Sequence, residues 1–131
     1  MEKMLTNPLH PSFTWQEFVR SWRGRDSVIY VRYEDLLDDA VAELKRVIAG
    51  LGREIPSDER IRDIVDKYSF KRIGGRNPGT EDKGSFLRKG IAGDWKNYFT
   101  REAREVFDHY AGEELVALGY EPDRRWANND R

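Results

Sequence analysis

The sequence contains no cysteine among its 131 residues and only two histidines, His10 and His109. Without cysteine there is no disulfide framework, no thiolate nucleophile and no cysteine-based metal site. The two histidines have no clustered ligands around them in the sequence, so we expect no bound metal and assign neither of them as a catalytic base.

Long apolar runs are also missing, and the N-terminal residues lack the apolar core of a signal peptide. We therefore expect a cytoplasmic protein that does not enter a membrane. The composition, with 38% hydrophobic and 12% aromatic residues, is typical of a folded chain. At this length, residues 1–131 are expected to form a single domain or part of one.

The net charge of −1 is unevenly distributed, because residues 71–90 carry six cations against two carboxylates. A short basic segment in a mildly acidic protein indicates a small anionic ligand, whereas long nucleic acids need a broad positive face. We therefore predict no nucleic-acid partner. The alternative is that these charges belong to a solvated loop without a ligand.

Local patterns predict four helices and one strand. Thr14 and Glu17 form a capping box before the first helix, and Ser57 and Thr100 are N-cap residues for two later ones. Residues 27–33 are β-branched and aromatic, which predicts a buried strand. The helices are expected at about residues 14–23, 36–51, 57–68 and 100–118, with irregular structure over 1–12 and 121–131.

A lone buried strand needs hydrogen-bonding neighbours, and no second strand of similar quality follows in the sequence. Three arrangements would supply them: pairing across a homodimer, a sheet contributed by another polypeptide, or a larger α/β domain of which this chain is a piece. We favour the third.

The most informative segment begins with Arg88, Lys89 and Gly90 and continues to Thr100. Adjacent cations beside a glycine are suited to phosphate, since the glycine lets the main chain approach the ligand closely. Together with the YEDL run that begins at Tyr33, this RKGxxGDWKNxFT segment closely resembles the cytosolic-type sulfotransferases, which use the sulfate donor 3'-phosphoadenosine 5'-phosphosulfate (PAPS).

The resemblance covers about residues 13–120 and only the C-terminal half of the family's length. It implies an α/β fold, namely the mostly helical C-terminal part of a P-loop-like sulfotransferase domain with one parallel-type strand. It also implies a site for the nucleotide end of PAPS without a metal. Arg88, Lys89 and Gly90 would bind the 3'-phosphate, and Phe86, Tyr33, Tyr68, Ser69 and Phe70 would surround the adenine.

Other parts of the family pattern are altered or unmatched. Lys96, Thr100 and Glu105 fall at the spacing of the family's dimer segment, but Arg101 replaces its central valine. The family's 5'-phosphosulfate loop and catalytic histidine match nothing in this sequence, so no catalytic residue is assigned. A homo-oligomer and an N-terminal half on another chain both remain open.

Two functions follow from these observations. The first is the C-terminal region of a PAPS-dependent sulfotransferase that transfers sulfate to a hydroxyl or amine of a small-molecule acceptor. The second is a non-catalytic, truncated relative that acts as a nucleotide-binding or oligomerising module. Whether this chain alone is an enzyme is left open by its sequence.

Overall fold

The computed structural model describes residues 13–128, which form five α-helices and two short 3₁₀ helices. The bounds are α1 Trp15–Trp22, α2 Tyr33–Gly50, α3 Asp58–Lys67, α4 Phe70–Gly74 and α5 Arg101–Ala117, with 3₁₀ helices at Asp94–Asn97 and Arg124–Ala127. Helices α1, α2, α3 and α5 correspond to the four helices predicted from the sequence, and α4 is an additional short one.

Hydroxyl caps fix the starts of three helices, as the sequence predicted. At α1 the Glu17 amide donates to Thr14 Oγ1 (3.3 Å), and the Thr14 amide donates to the Glu17 carboxylate (2.7 Å). Ser57 accepts from the Arg60 amide at α3, and Thr100 does the same for α5. These bonds satisfy amides that have no partner within the helix.

The predicted strand over residues 27–33 is wrong, since no β-strand forms among residues 13–128. Residues 28–32 have no regular structure, and Tyr33 begins α2 instead of ending a strand. A strand forms only where a neighbour completes its ladder of hydrogen bonds, and the described residues provide none. Glu34 and Asp35 lie in the first turn of α2, where negative charge is favourable.

The described residues divide into two compact units. The first unit contains residues 13–28 and 95–128, and the second contains residues 29–94. The expectation of one domain or part of one over 1–131 stays a prediction, and its irregular segment 1–12 lies outside the described residues. No helix within residues 13–128 is both long and apolar enough to cross a bilayer.

An aromatic cluster forms the core of the first unit. The Trp126 ring meets Trp95 and Phe107 edge to face, with centroids 5.6 and 6.3 Å apart. Phe107 also contacts Phe99 and, from α1, Trp15. Such contacts add to the free energy gained from burying the rings themselves.

The C-terminal segment, residues 121–128 of the described part, packs on α5 through the 3₁₀ helix Arg124–Ala127, although irregular structure is predicted for 121–131; residues 129–131 lie outside the described residues. Asp108 accepts hydrogen bonds from the Trp126 indole (2.9 Å) and from Arg124 Nε (2.9 Å). A methyl group at Gly112 would lie 2.2 Å from Asp108 Oδ1. This glycine therefore makes room for the carboxylate that holds the segment, although glycine is a poor residue for a helix interior.

In the second unit, α2 packs on α3 and α3 on α4. Ile61 of α3 is its most buried side chain, at 2% exposure. Lys45 of α2 forms an ion pair with Asp58 at the start of α3. These contacts hold the three helices together beside the loop that follows α4.

Candidate functional site

The basic segment predicted from the sequence forms a loop over residues 75–93, between α4 and the 3₁₀ helix Asp94–Asn97. Two main-chain hydrogen bonds join its opposite sides: the Gly79 amide donates to the Lys89 carbonyl (2.8 Å) and the Asp82 amide to the Arg88 carbonyl (3.0 Å). These main-chain hydrogen bonds give the loop a defined conformation.

Arg76 braces this loop from the inside. Its guanidinium donates to the carbonyls of Gly74 (3.0 Å), Thr80 (3.1 Å) and Arg88 (3.2 Å), and also to that of Leu87. Its side chain is only 17% exposed. Arg76 thus contributes to the local positive charge, but its donors are used to shape the main chain.

We call Arg88, Lys89 and Gly90 the basic turn. Its two cations converge on one carboxylate, because Asp94 Oδ2 accepts from Arg88 Nη2 and Asp94 Oδ1 accepts from Lys89 Nζ, both at 2.6 Å. Arg88 Nη1 also bonds to Glu81. Charge-assisted bonds of this length are among the stronger ones in proteins.

The cations of the basic turn differ in their exposure. The Arg88 side chain remains 42% exposed although two carboxylates bind it, whereas that of Lys89 is 19% exposed and Asp94 is 8% exposed. An incoming anion would therefore meet Arg88 first. Within residues 13–128, no group of three or more His, Cys, Asp or Glu side chains is arranged to hold a metal ion.

Gly90 lies against the ring of Phe70, the first residue of α4. Its φ of +65° is in the left-handed region, and a Cβ built there would be 2.3 Å from Phe70 Cδ2. Arg76 covers the same ring, with its guanidinium carbon 5.1 Å from the ring centroid. Only glycine fits at position 90, because both the backbone angle and the space exclude a side chain.

The other predicted adenine-binding residues are exposed or form a helix cap. Tyr33, Tyr68 and Phe86 are 50%, 63% and 101% exposed, and Ser69 Oγ caps α4 by accepting from the Arg72 amide. Of the eight predicted residues, the structure brings four into one cluster, namely Arg88, Lys89, Gly90 and Phe70.

Beside Tyr33, Arg32 binds Asp35 through two hydrogen bonds of 2.6 and 2.9 Å, and these bonds lower the pKa of the Asp35 carboxyl. Asp35 is therefore charged at neutral pH, and both of its carboxylate oxygens accept hydrogen bonds from Arg32. Glu34 and Asp35 thus lie in the first turn of α2, and Asp35 is paired there with the residue that precedes the helix.

Sequence reasoning missed two carboxylates of this cluster, Asp94 and Glu81. In the sequence, Asp94 is one residue of the RKGxxGDW pattern, and Glu81 is one of the two carboxylates that offset the charge of the basic segment. The sequence signal that could have indicated Asp94 is an acidic residue shortly after two adjacent cations, with Gly93 between them. In the structure, Gly93 has a φ of +73°. A glycine at that angle permits a turn that returns the chain toward the cations.

Comparison with known proteins gives one consistent result, since the sequence pattern of the family described as "Sulfotransferase domain" matches residues 2–119. The chain belongs to the sulfotransferase family. Sulfotransferase 1E1 of Cavia porcellus is 35% identical over 115 residues, which are 76% of this chain and 38% of that protein. A flavonol sulfotransferase-like protein of Flaveria bidentis is 33% identical over 106 residues, or 72% of this chain and 34% of that one.

A solved structure agrees with this assignment. The crystal structure of mouse sulfotransferase SULT7A1, complexed with PAP, matches with a TM-score of 0.66 and 26% identity. The match covers 99% of this chain and 50% of the mouse chain. This chain therefore spans about two fifths of the length of the curated relatives and half of that solved structure. The fold neighbour supports the predicted fold family, although the predicted strand is not present.

Proposed function

We propose that this chain binds the 3'-phosphoadenosine end of PAPS within a sulfotransferase that transfers sulfate to a hydroxyl or amine of a small molecule. The observation that carries the proposal is that Arg88 Nη2 and Lys89 Nζ both lie 2.6 Å from the oxygens of one carboxylate. The basic turn can thus direct two cations at a single anionic group, which is what a phosphate monoester needs.

The surroundings of the basic turn support the same ligand. In the proposal, the Gly90 amide would donate to a phosphate oxygen beside the two cations. Phe70 already packs on this glycine, and in the proposal it forms one wall of the adenine site. Ser69 and Tyr68 precede it directly, and Tyr33 and Phe86 would complete the pocket by moving toward the base.

The proposed contribution of this chain is to donor binding. Sulfuryl transfer resembles phosphoryl transfer, in which positioning and charge neutralisation supply most of the catalysis. Two cations on the ribose-linked phosphate would fix the nucleotide in place, and the reacting groups would lie outside this chain's matched motifs. The proposed acceptor is a small molecule with a hydroxyl or an amine.

Calorimetry with adenosine 3',5'-bisphosphate (PAP) tests the proposal. We expect PAP to bind the full chain, and Arg88→Ala to weaken the affinity by about 10- to 100-fold, because hydrogen bonds to charged groups contribute about 1.5–3 kcal/mol. Arg62→Ala is the matched control, since Arg62 lies on α3 with 66% of its side chain exposed and makes one 3.5 Å ion pair with Asp58. Its affinity should equal that of the parent chain.

The alternative function is a non-catalytic nucleotide-binding or oligomerising module. One observation favours it: the charge of the basic turn is balanced internally by Asp94 and Glu81. If the parent chain fails to bind PAP at millimolar concentration, the oligomerising form of this alternative is preferred. Co-purification of a second polypeptide from the source would instead indicate that another chain supplies the remaining half.

A further inference from the structure

Asp94 occupies an unusual position among the charges of the second unit. It is 8% exposed, and each of its oxygens binds a different cation, with Oδ1 on Lys89 and Oδ2 on Arg88. Asp94 also begins the 3₁₀ helix Asp94–Asn97, which fixes its main chain. A buried carboxylate at the start of a helix is therefore a point that both flexible cationic side chains share.

We propose that Asp94 is a positioning residue that holds Arg88 and Lys89 side by side as a two-cation clamp for a phosphate monoester. The proposal rests on the proposed donor-binding function and adds a residue that does not itself touch the ligand. Asp94 restricts the rotamers of two long side chains before the ligand binds. Less side-chain conformational entropy is therefore lost on binding. It also offsets the repulsion between two adjacent positive charges.

Replacing Asp94 with asparagine has two opposing effects on phosphate affinity, because removing the negative charge also removes its repulsion of the ligand phosphate. Lys89 is 19% exposed, and without Asp94 its ammonium would be partly desolvated beside the guanidinium of Arg88. Removing one member of a partly buried ion pair leaves the other charge less well compensated, so the Lys89 ammonium would no longer be held in its present place. The two cations would then no longer converge, so we expect loss of order to outweigh relief of repulsion.

Glu81 provides the contrast. It binds the same guanidinium through Arg88 Nη1, but its side chain is 26% exposed and it lies in the loop, not at a helix start. A carboxylate on Arg88 that is more exposed than Asp94 can be displaced by a phosphate that binds the same donors. The same acid-to-amide change should therefore have opposite effects at the two positions, weakening phosphate binding at Asp94 and strengthening it at Glu81.

The first test measures ligand binding by calorimetry on the full chain. We expect Asp94→Asn to weaken PAP affinity about tenfold and Glu81→Gln to strengthen it about threefold. Adenosine 5'-monophosphate, which lacks the 3'-phosphate, should bind Asp94→Asn and the parent equally. The proposal is overturned if Asp94→Asn binds PAP as tightly as the parent, or if it loses both nucleotides to the same degree, as general disruption would cause.

The second test needs no ligand. In nitrogen-resolved NMR spectra of arginine side chains, the Arg88 guanidinium of the parent should show slow rotation about its Nε–Cζ bond. The slow rotation should be lost in Asp94→Asn and retained in Glu81→Gln. Free rotation in the parent overturns the positioning role even if Asp94→Asn fails to fold. If both variants fold, equal rotation of the Arg88 guanidinium in the two also overturns it. If the parent binds no PAP, the proposed function is contradicted, and the NMR result still decides what Asp94 does.

Discussion

Replacing Trp126 with alanine is expected to destabilise the first unit by about 3–5 kcal/mol, in the range of other buried tryptophan truncations. The side chain is 4% exposed and lies between Trp95 and Phe107, and its indole N–H donates to Asp108 at 2.9 Å. The substitution removes these ring contacts, leaves a cavity and releases the C-terminal segment from α5. Urea unfolding followed by far-ultraviolet circular dichroism would measure the loss.

Trp22→Ala is the matched control, because the same substitution is made in the same unit at an exposed position. Trp22 is the last residue of α1, is 43% exposed and contacts Phe18 with ring centroids 6.2 Å apart. We expect it to cost about 1 kcal/mol or less. Similar losses in the two variants would contradict the assignment of Trp126 to the core, and would mean that the C-terminal segment adds little to stability.

The helix starts were predictable because their chemistry is local. Thr14, Ser57 and Thr100 each accept a hydrogen bond from an amide three residues ahead, and the sequence already displays both partners. The acidic residues after Tyr33 belong to the same class of signal. For such features, the residues that decide the structure lie within one helical turn of each other.

The strand over 27–33 failed for the opposite reason. The residues themselves have high β-propensity, but a strand is stabilised by partners that are distant in sequence. In the described residues, the Tyr30 carbonyl instead accepts from the guanidinium of Arg46 on α2. A pattern can therefore indicate that a segment is suited to a sheet without indicating where the rest of the sheet would come from.

The candidate site falls between these cases. Arg88, Lys89 and Gly90 were evident as a phosphate-binding pattern, since residue type and adjacency carry that information. The roles of Asp94 and Glu81 were not evident, because they depend on how the loop over 75–93 folds back on itself. The contact between Gly90 and Phe70 joins residues 20 positions apart, and no local rule anticipates it.

That contact gives the second large prediction, in which Gly90→Ala destabilises the second unit by about 2–5 kcal/mol. About 1–2 kcal/mol would come from placing alanine at a φ of +65°. About 1–3 kcal/mol more would come from forcing a methyl group against Phe70 Cδ2, where a Cβ would lie at 2.3 Å. Urea unfolding would measure the total, and calorimetry should show PAP binding lost together with the geometry of the basic turn.

Gly75→Ala separates the two contributions. Gly75 has the same φ of +65° and lies in the same unit, but nothing is within 4 Å of a Cβ built there. Gly75→Ala should therefore lower the free energy of unfolding only by the cost of the backbone conformation, about 1–2 kcal/mol. The excess loss in Gly90→Ala should shrink when Phe70→Leu is combined with it, because the smaller side chain makes room for the methyl group. If Gly75→Ala and Gly90→Ala were equally destabilised, the packing of Phe70 on the basic turn would not be what requires glycine at position 90.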